Sequence, residues 1–287
     1  MKMPSNKKQW KTKAAANLLA ETGAASVEEA VVRFVGSVRQ SARAQGFRDG
    51  VVGPPYDPWP LAAVLGASDV GGRALGFPGR ILRAAKGLVV EIDRDTMSSR
   101  QRRRFTLAHE VGHLALWEVG GRVVKTASRR NFRRSEIEEL CNTIASEVLA
   151  PRSDVLEQVA VCGAHNDLLT DINSGPPRQT GLQALLGSLV HVSRVFDVSL
   201  QFSARRVNEV CKVGVGAAFI DTREQKYVWR VGLPVTQELL AAVLCVMTPG
   251  EQGGSGEYWA DSPRGGQIRG FAWRRVGRGS VLATVQR

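Results

Sequence analysis

Closely paired cysteines are missing from this chain. Its four cysteines, Cys141, Cys162, Cys211 and Cys245, lie far apart in 287 residues. Zinc ribbons and disulfide scaffolds need close pairs, so both are excluded. Long apolar runs are missing as well. The longest, at 239–247, has nine residues, against the roughly 20 that a bilayer-spanning helix requires. The lysine-rich start leads into Ala14, Ala15, Ala16, Asn17 and Leu18, a stretch too short and too polar for a secretion signal. A cytoplasmic protein with no membrane partner is therefore expected. Histidine is scarce, with four in all, and tyrosine scarcer still, with Tyr56, Tyr227 and Tyr258.

Positive charge, by contrast, is abundant and unevenly placed. The net charge is +12, and residues 100–134 carry ten arginines and lysines against two glutamates. Residues 1–20 add five lysines and no acid, so the remainder is nearly neutral. A basic belt suits an acidic partner or nucleic acid. No aromatic platform interleaves these arginines as a single-strand binding surface would want. A solvated helix start and loop is the plainer reading, so nucleic acid is a partner to test and not the favoured one.

Two of the four histidines stand in one string, His109-Glu110-Val111-Gly112-His113. Its flanks are apolar and free of proline, so the spacing predicts a helix. On a helix, residues four apart project from one face, one turn above the other. Two imidazoles so placed can bind one divalent ion, at about 2.0–2.1 Å if it is zinc. Glu110 beside them is free to accept a proton from an activated water. Leu107, Val111 and Leu114 form a separate core stripe, leaving Thr106, His109, His113 and Leu116 on another face. Gly112 costs a helix interior about 1 kcal/mol against alanine, which predicts a close approach there.

A zinc hydrolase needs a third protein ligand and one open position. No third histidine follows at the short metzincin spacing. The next candidate lies on a second predicted helix, with Ile137, Leu140, Cys141, Ile144 and Val148 as its buried stripe. Cys141 reads there as a small apolar side chain. Glu138 and Asn142 lie along one edge of that stripe. One of them could bind the metal while the other accepts from a ligand histidine's far nitrogen. Alternatively, Ser135-x-x-Glu138 is a capping box, and Glu138 merely bonds back to the helix start. Spacing leaves both readings open.

The block Arg-Arg-Phe-Thr-Leu-Ala-His-Glu-Val-Gly-His at 103–113 is followed by Glu138-x-x-Cys141-Asn142-x-x-Ala145-x-x-x-Leu149-x-Pro151. Together they resemble the ImmA/IrrE family of metallopeptidases. The stretches Tyr56-Asp57-Pro58 through Leu65-Gly66, and 87–93, resemble a short helix and a strand that precede the active helix in that family. One departure, Ala150 in place of a more usual methionine, exchanges apolar for apolar. The resemblance implies that Glu138 is the third ligand beside His109 and His113, with Glu110 as catalytic base and Asn142 orienting a ligand histidine. It implies zinc, with manganese the alternative. It also implies a protein substrate: a helix-turn-helix repressor of the Xre type, cleaved to switch on a stress, mobile-element or phage-related operon.

The expected fold class is α+β. Four segments are expected: an N-terminal helical extension at 1–53, a mainly helical zincin-like peptidase domain with a small sheet at 54–152, a helical region at 153–210, and a small α+β domain at 211–287. Within the first, 1–25 reads as loosely ordered or weakly helical. Ser26-Val27-Glu28-Glu29 is a capping box opening a helix to about Ala44, with Val31, Val32, Phe34, Val35 and Val38 as its apolar positions. The strand at 88–92 is expected at the cleft edge, where it could bind substrate backbone by β-addition. Residues 182–209 have a helix-turn-helix outline. With only Arg205 and Arg206 as readers, two packed helices is the better reading. His165 and His191 read as surface or satisfied histidines. In the last segment 213–220, 227–231, 268–275 and 280–285 have strand composition, 235–247 is helix-like, and 250–266 reads as a flexible loop. Some members of the resembled family carry a GAF-like sensor there; a structural or substrate-docking domain is the plainer alternative. The competing functional class is a DNA- or protein-binding regulator whose metal site is structural and which cleaves nothing.

Overall fold

The computed structural model describes residues 12–85, 87–94, 99–120, 133–162, 179–211, 215–221, 226–231, 255–261, 267–274 and 279–286, with side chains over 12–85, 87–94, 99–116, 136–162 and 187–211. The chain divides into two compact units, Met1–Pro151 and Arg152–Arg287. No helix among the described residues is long and apolar enough to cross a membrane.

The first unit opens with helix α1 (Lys13–Thr22), capped by the Thr12 hydroxyl accepting from the Ala15 N–H at 3.3 Å and closed by left-handed Gly23. Within the stretch expected to be loosely ordered or weakly helical, Lys13–Thr22 is thus a capped helix with Leu18 fully buried, while residues 1–11 lie outside the described residues. Packing rather than propensity decides: α1 lies against α2 and α4. Helix α2 (Val27–Ala44) starts as its capping box predicts, with the Ser26 hydroxyl accepting from the Glu29 N–H. The Glu29 carboxylate reaches one residue further back, to the Ala25 N–H. Val31, Phe34, Val35 and Val38 are buried, whereas Val32 is 40 % exposed and lies off the stripe. A short helix α3 (Trp59–Val64) follows, with Pro60 inside its first turn.

Three strands come next: β1 (Ala67–Arg73), β2 (Gly79–Ala84) and β3 (Gly87–Asp93). Their order is β1-β3-β2, with β1 parallel and β2 antiparallel to β3. The expectation that residues 88–92 form the cleft edge is therefore wrong. β3 is paired on both sides and has no free backbone to offer, and β1 and β2 take the two edges. The reason lies in burial. Val90, Glu91, Ile92 and Asp93 are all buried, as a central strand demands. The connection from β1 to β2 passes the end of β3, where buried Asp93 accepts from the Leu75 N–H at 2.9 Å and donates its own N–H to the Pro78 carbonyl. Glu91 is buried too, and is held by Arg80 at 2.7 Å and Arg73 at 3.2 Å.

Helices α4 (Arg100–Gly120) and α5 (Arg133–Leu149) complete the unit and pack on each other. Because α5 begins at Arg133, Ser135 lies inside the helix, and the capping-box reading of Glu138 falls away. The N-terminal helices hold this pair in place. Arg39 of α2 donates to the last carbonyls of α5, at Glu147 and Val148, meeting the orphan acceptors of a helix end. Its guanidinium also lies 4.1 Å over the ring of buried Tyr56, whose carbonyl accepts from Arg104 of α4.

The second unit carries α6 (Arg152–Val161), α7 (Gln179–Val195) and α8 (Leu200–Cys211), all mutually in contact. Between α7 and α8 the chain turns through Asp197 at φ 50°, with the Val198 N–H returning to the Ser193 carbonyl. Arg206 is buried and ion-paired with Glu209 at 2.9 Å. His191 bonds to Gln158 at 2.8 Å. His165 and the helix-like stretch 235–247 lie outside the described residues. Among the described residues five strands follow: β4 (Val215–Asp221), β5 (Lys226–Val231), β6 (Ser255–Asp261), β7 (Gln267–Arg274) and β8 (Gly279–Gln286), in the order β5-β4-β8-β7-β6, antiparallel throughout. Part of the stretch read as a flexible loop is therefore strand β6. Its Glu257-Tyr258-Trp259-Ala260 core suits a strand, and pairing with β7 overrides the glycines around it. The architecture is α+β: a mainly helical first unit with a small sheet, then helices and an antiparallel sheet.

Candidate metal centre

The α4 stripe forms as its periodicity predicts. Leu107, Val111 and Leu114 are buried, and so are Thr106 and Leu116. His109 and His113 are only part-buried, and their ring centroids are 4.9 Å apart at 75°. The close approach foreseen at Gly112 is made by α5. A Cβ added there would lie 2.8 Å from the Cα of Cys141 and 3.0 Å from its carbonyl oxygen. The missing side chain lets the two helix backbones touch, and that contact brings one edge of α5 under the histidines.

Glu138 and Asn142 both reach His109. The Glu138 Oε2 lies 3.1 Å from His109 Nε2 and 3.8 Å from His113 Nε2. On the other side of the same ring, Asn142 Oδ1 lies 2.9 Å from His109 Nδ1. The two Nε2 atoms and one carboxylate oxygen therefore converge, while the far nitrogen of His109 has an amide acceptor. Three ligands on tetrahedral arms of 2.0–2.1 Å would stand about 3.3 Å apart. The observed pair of distances brackets that spacing, and the donor set of two imidazoles and a carboxylate suits a divalent ion such as zinc.

Glu110 lies in the packing between α4 and the sheet, and is only 6 % exposed. Burial, with the Glu138 carboxylate adding to it, pushes its carboxyl up to about 7. Strand β2 covers it: a Cβ at Gly79 would lie 3.0 Å from Glu110 Oε1 and 2.9 Å from the Thr106 methyl. The sequence reading passed over both Gly79 and β2. A signal was available in Gly76 and Pro78, which mark a turn, followed by Ile81 and Leu82 in a strand-forming run.

A second residue was also underrated. Cys141 is fully buried, as its stripe position predicts, but its Sγ lies 3.4 Å from His113 Nδ1. The thiol pKa is pushed up by burial first and by the Glu138 and Glu110 carboxylates next. His109, His113 and Cys141 thus also offer donors within 4.8 Å of one another. Of the tyrosines, Tyr56 is buried beneath Arg39, and Tyr227 and Tyr258 lie among residues whose side chains are not described.

No curated protein matches this chain. Among solved structures it is similar to a Mycobacterium tuberculosis transcriptional regulator at 13 % identity, with 96 % of this chain and 80 % of that one covered and a TM-score of 0.50, a likeness of fold. Residues 79–208 match the family model for the IrrE N-terminal-like domain, a peptidase family. That match includes both histidines, Glu110, Glu138 and Asn142. The segment 79–208 thereby belongs to the ImmA/IrrE metallopeptidase family.

Proposed function

We propose that the chain is a metal-dependent endopeptidase in which His109, His113 and Glu138 hold the ion through two Nε2 atoms and a carboxylate oxygen. The observation that carries this reading is the convergence of both Nε2 atoms on Glu138 Oε2, one helix residue away from a buried carboxyl. Cys141 is the weaker candidate for third ligand because it meets the opposite nitrogen of the His113 ring. A ligand set using the two Nε2 atoms would therefore leave that sulfur out. Zinc is the assigned ion, with manganese as the alternative on the same nitrogen and oxygen donors.

When bound, such an ion acidifies water toward neutral pH and polarises a scissile carbonyl. The chain's own groups supply the rest. Glu110, held near a pKa of 7, suits both halves of a proton transfer: it accepts from the attacking water and donates to the departing amine. Asn142 holds His109 by its Nδ1, so that Nε2 faces the ion with its lone pair. Edge strand β2, lying against Glu110 at Gly79, is positioned to pair with an extended substrate backbone.

The proposed substrate is a helix-turn-helix repressor of the Xre type, supported by the motif block at 103–113 and 138–151. Repressor cleavage would release a stress, mobile-element or phage-related operon in the cytoplasm. For the five-stranded sheet of the second unit the same resemblance offers a GAF-like sensory role, with a structural or substrate-docking domain as the plainer alternative. The deciding experiment incubates the zinc- or manganese-loaded protein with any Xre-type repressor found encoded beside it and reads the products by mass spectrometry. Glu110→Gln should retain the metal and the fold yet lose cleavage by about 100-fold or more. Cleavage undiminished in that variant removes the base. The competing reading, a DNA-binding regulator, needs basic readers on α8. Arg206 is unsuited to that role because it is buried and paired with Glu209.

A further inference from the structure

We propose that Cys141 is a positioning residue for the metal centre, holding His113 as Asn142 holds His109. The inference rests on the assignment of His109, His113 and Glu138 as ligands. Consecutive residues of α5 then serve the two histidines of α4: Asn142 Oδ1 lies 2.9 Å from Nδ1 of the first, and Cys141 Sγ lies 3.4 Å from Nδ1 of the second. Both contacts are on Nδ1, and both leave Nε2 toward Glu138.

Chemistry fixes the direction of the second contact. A histidine that ligates through Nε2 in its neutral form carries its proton on Nδ1. That N–H must donate, so the sulfur of Cys141 accepts it as a neutral thiol. Sulfur is a weak acceptor, and most ligand histidines are held by a carboxylate or carbonyl instead. Space explains the choice of a small side chain here. The Cα and Cβ of Cys141 are the atoms that a Cβ at Gly112 would strike, at 2.8 and 3.0 Å. Where the helix backbones touch, cysteine carries an acceptor to the ring from a fully buried position.

The test measures zinc affinity by competition with a chromophoric chelator, which needs no peptidase activity. Partners of this kind change metal affinity by about 10- to 100-fold. Cys141→Ala should weaken zinc binding by that range, while Cys141→Ser, which restores an acceptor, should recover most of it. Cobalt(II)-loaded wild-type protein should show no thiolate-to-metal charge-transfer band. In 15N-histidine spectra the His113 ring of the zinc-free protein should carry its proton on Nδ1. A Cys141→Ala affinity within twofold of wild type overturns the proposal, as does a Cys141→Ser variant equally weak as Cys141→Ala. A thiolate band that vanishes in Cys141→Ser would make Cys141 a ligand and also overturn it. Should Cys141→Ala not fold, the His113 tautomer in wild type and Cys141→Ser decides, and a proton on Nε2 refutes the role. A wild-type protein that binds no zinc sinks the ligand assignment itself. A protein that binds zinc tightly but cleaves nothing sinks only the peptidase reading.

Discussion

Replacing Gly112 by alanine should cost this protein its metal centre before it costs the fold. A Cβ at position 112 would stand 2.8 Å from the Cα of Cys141, against the 3.4 Å at which ordinary contact begins. The obstacle is backbone and cannot rotate away, so α4 and α5 must part by about 0.6 Å or the helices must bend. Overpacking of this kind costs about 1–3 kcal/mol. Alanine returns about 1 kcal/mol through its better helix propensity. The net loss of about 0–2 kcal/mol corresponds to a drop of a few degrees in melting temperature. The centre is less forgiving. Glu138, Cys141 and Asn142 all ride on α5, so a shift of that size moves every contact the histidines make across the helix pair. Misplacement near 1 Å can cost about 100-fold in rate, so a loss of 10- to 100-fold in cleavage and in zinc affinity is the expected result. Thermal unfolding followed by circular dichroism, with zinc competition on the same preparation, reads both quantities. A Gly112→Ala protein with unchanged or raised melting temperature and unaltered zinc affinity would refute the account of why glycine stands there.

Three further outcomes follow from the same geometry. Asn142→Ala should lower zinc affinity by about 10- to 100-fold with little effect on melting of the zinc-free protein, because Asn142 is exposed and its amide serves His109; equilibrium dialysis against zinc measures it, and an unchanged affinity removes Asn142 from the centre. Gly79→Val should reduce cleavage more than it reduces metal content, since the added side chain meets Glu110 and Thr106 and not the Nε2 atoms; matched metal analysis and turnover separate the two, and equal losses contradict the placement of β2. In metal-free protein, the Glu110 carboxyl is raised from 4.5 to about 7, so the folded state binds the extra proton. Stability from this group is then present below about pH 4.5 and is lost as pH rises to about 7. Chelator-treated wild type should lose stability over that window relative to Glu110→Gln in urea titrations, and parallel profiles would contradict it.

Why the centre was legible in the sequence and its surroundings were not comes down to the range of the interactions that fix each part. His109, Glu110 and His113 declare themselves because helical periodicity is local: four residues suffice to say which side chains share a face. Gly112 declared a neighbour for the same reason, since a glycine that harms a helix needs a compensating contact. It could not say which residue would arrive. The capping box at Ser135 shows the limit of local rules. Its pattern is sound, but α5 begins two residues earlier, and only the packed partner reveals that Glu138 faces the histidines. The sheet was harder still. Residues 87–93 read correctly as a strand, yet whether a strand is central or edge depends on chain far away. β2 lies before β3 in sequence and still pairs on its outer side, through a connection that passes the end of β3. No periodicity within 88–92 encodes that. The exchange bears on the proposed function, in which β2, lying over Glu110, would meet the substrate backbone. A proline scan across a cleaved repressor tests it directly. Residues pairing with β2 should tolerate side-chain changes but lose about 10-fold or more on proline substitution, as each loses an N–H from the ladder. Uniform tolerance of proline along the whole segment would show that the edge of β2 does not receive the substrate backbone.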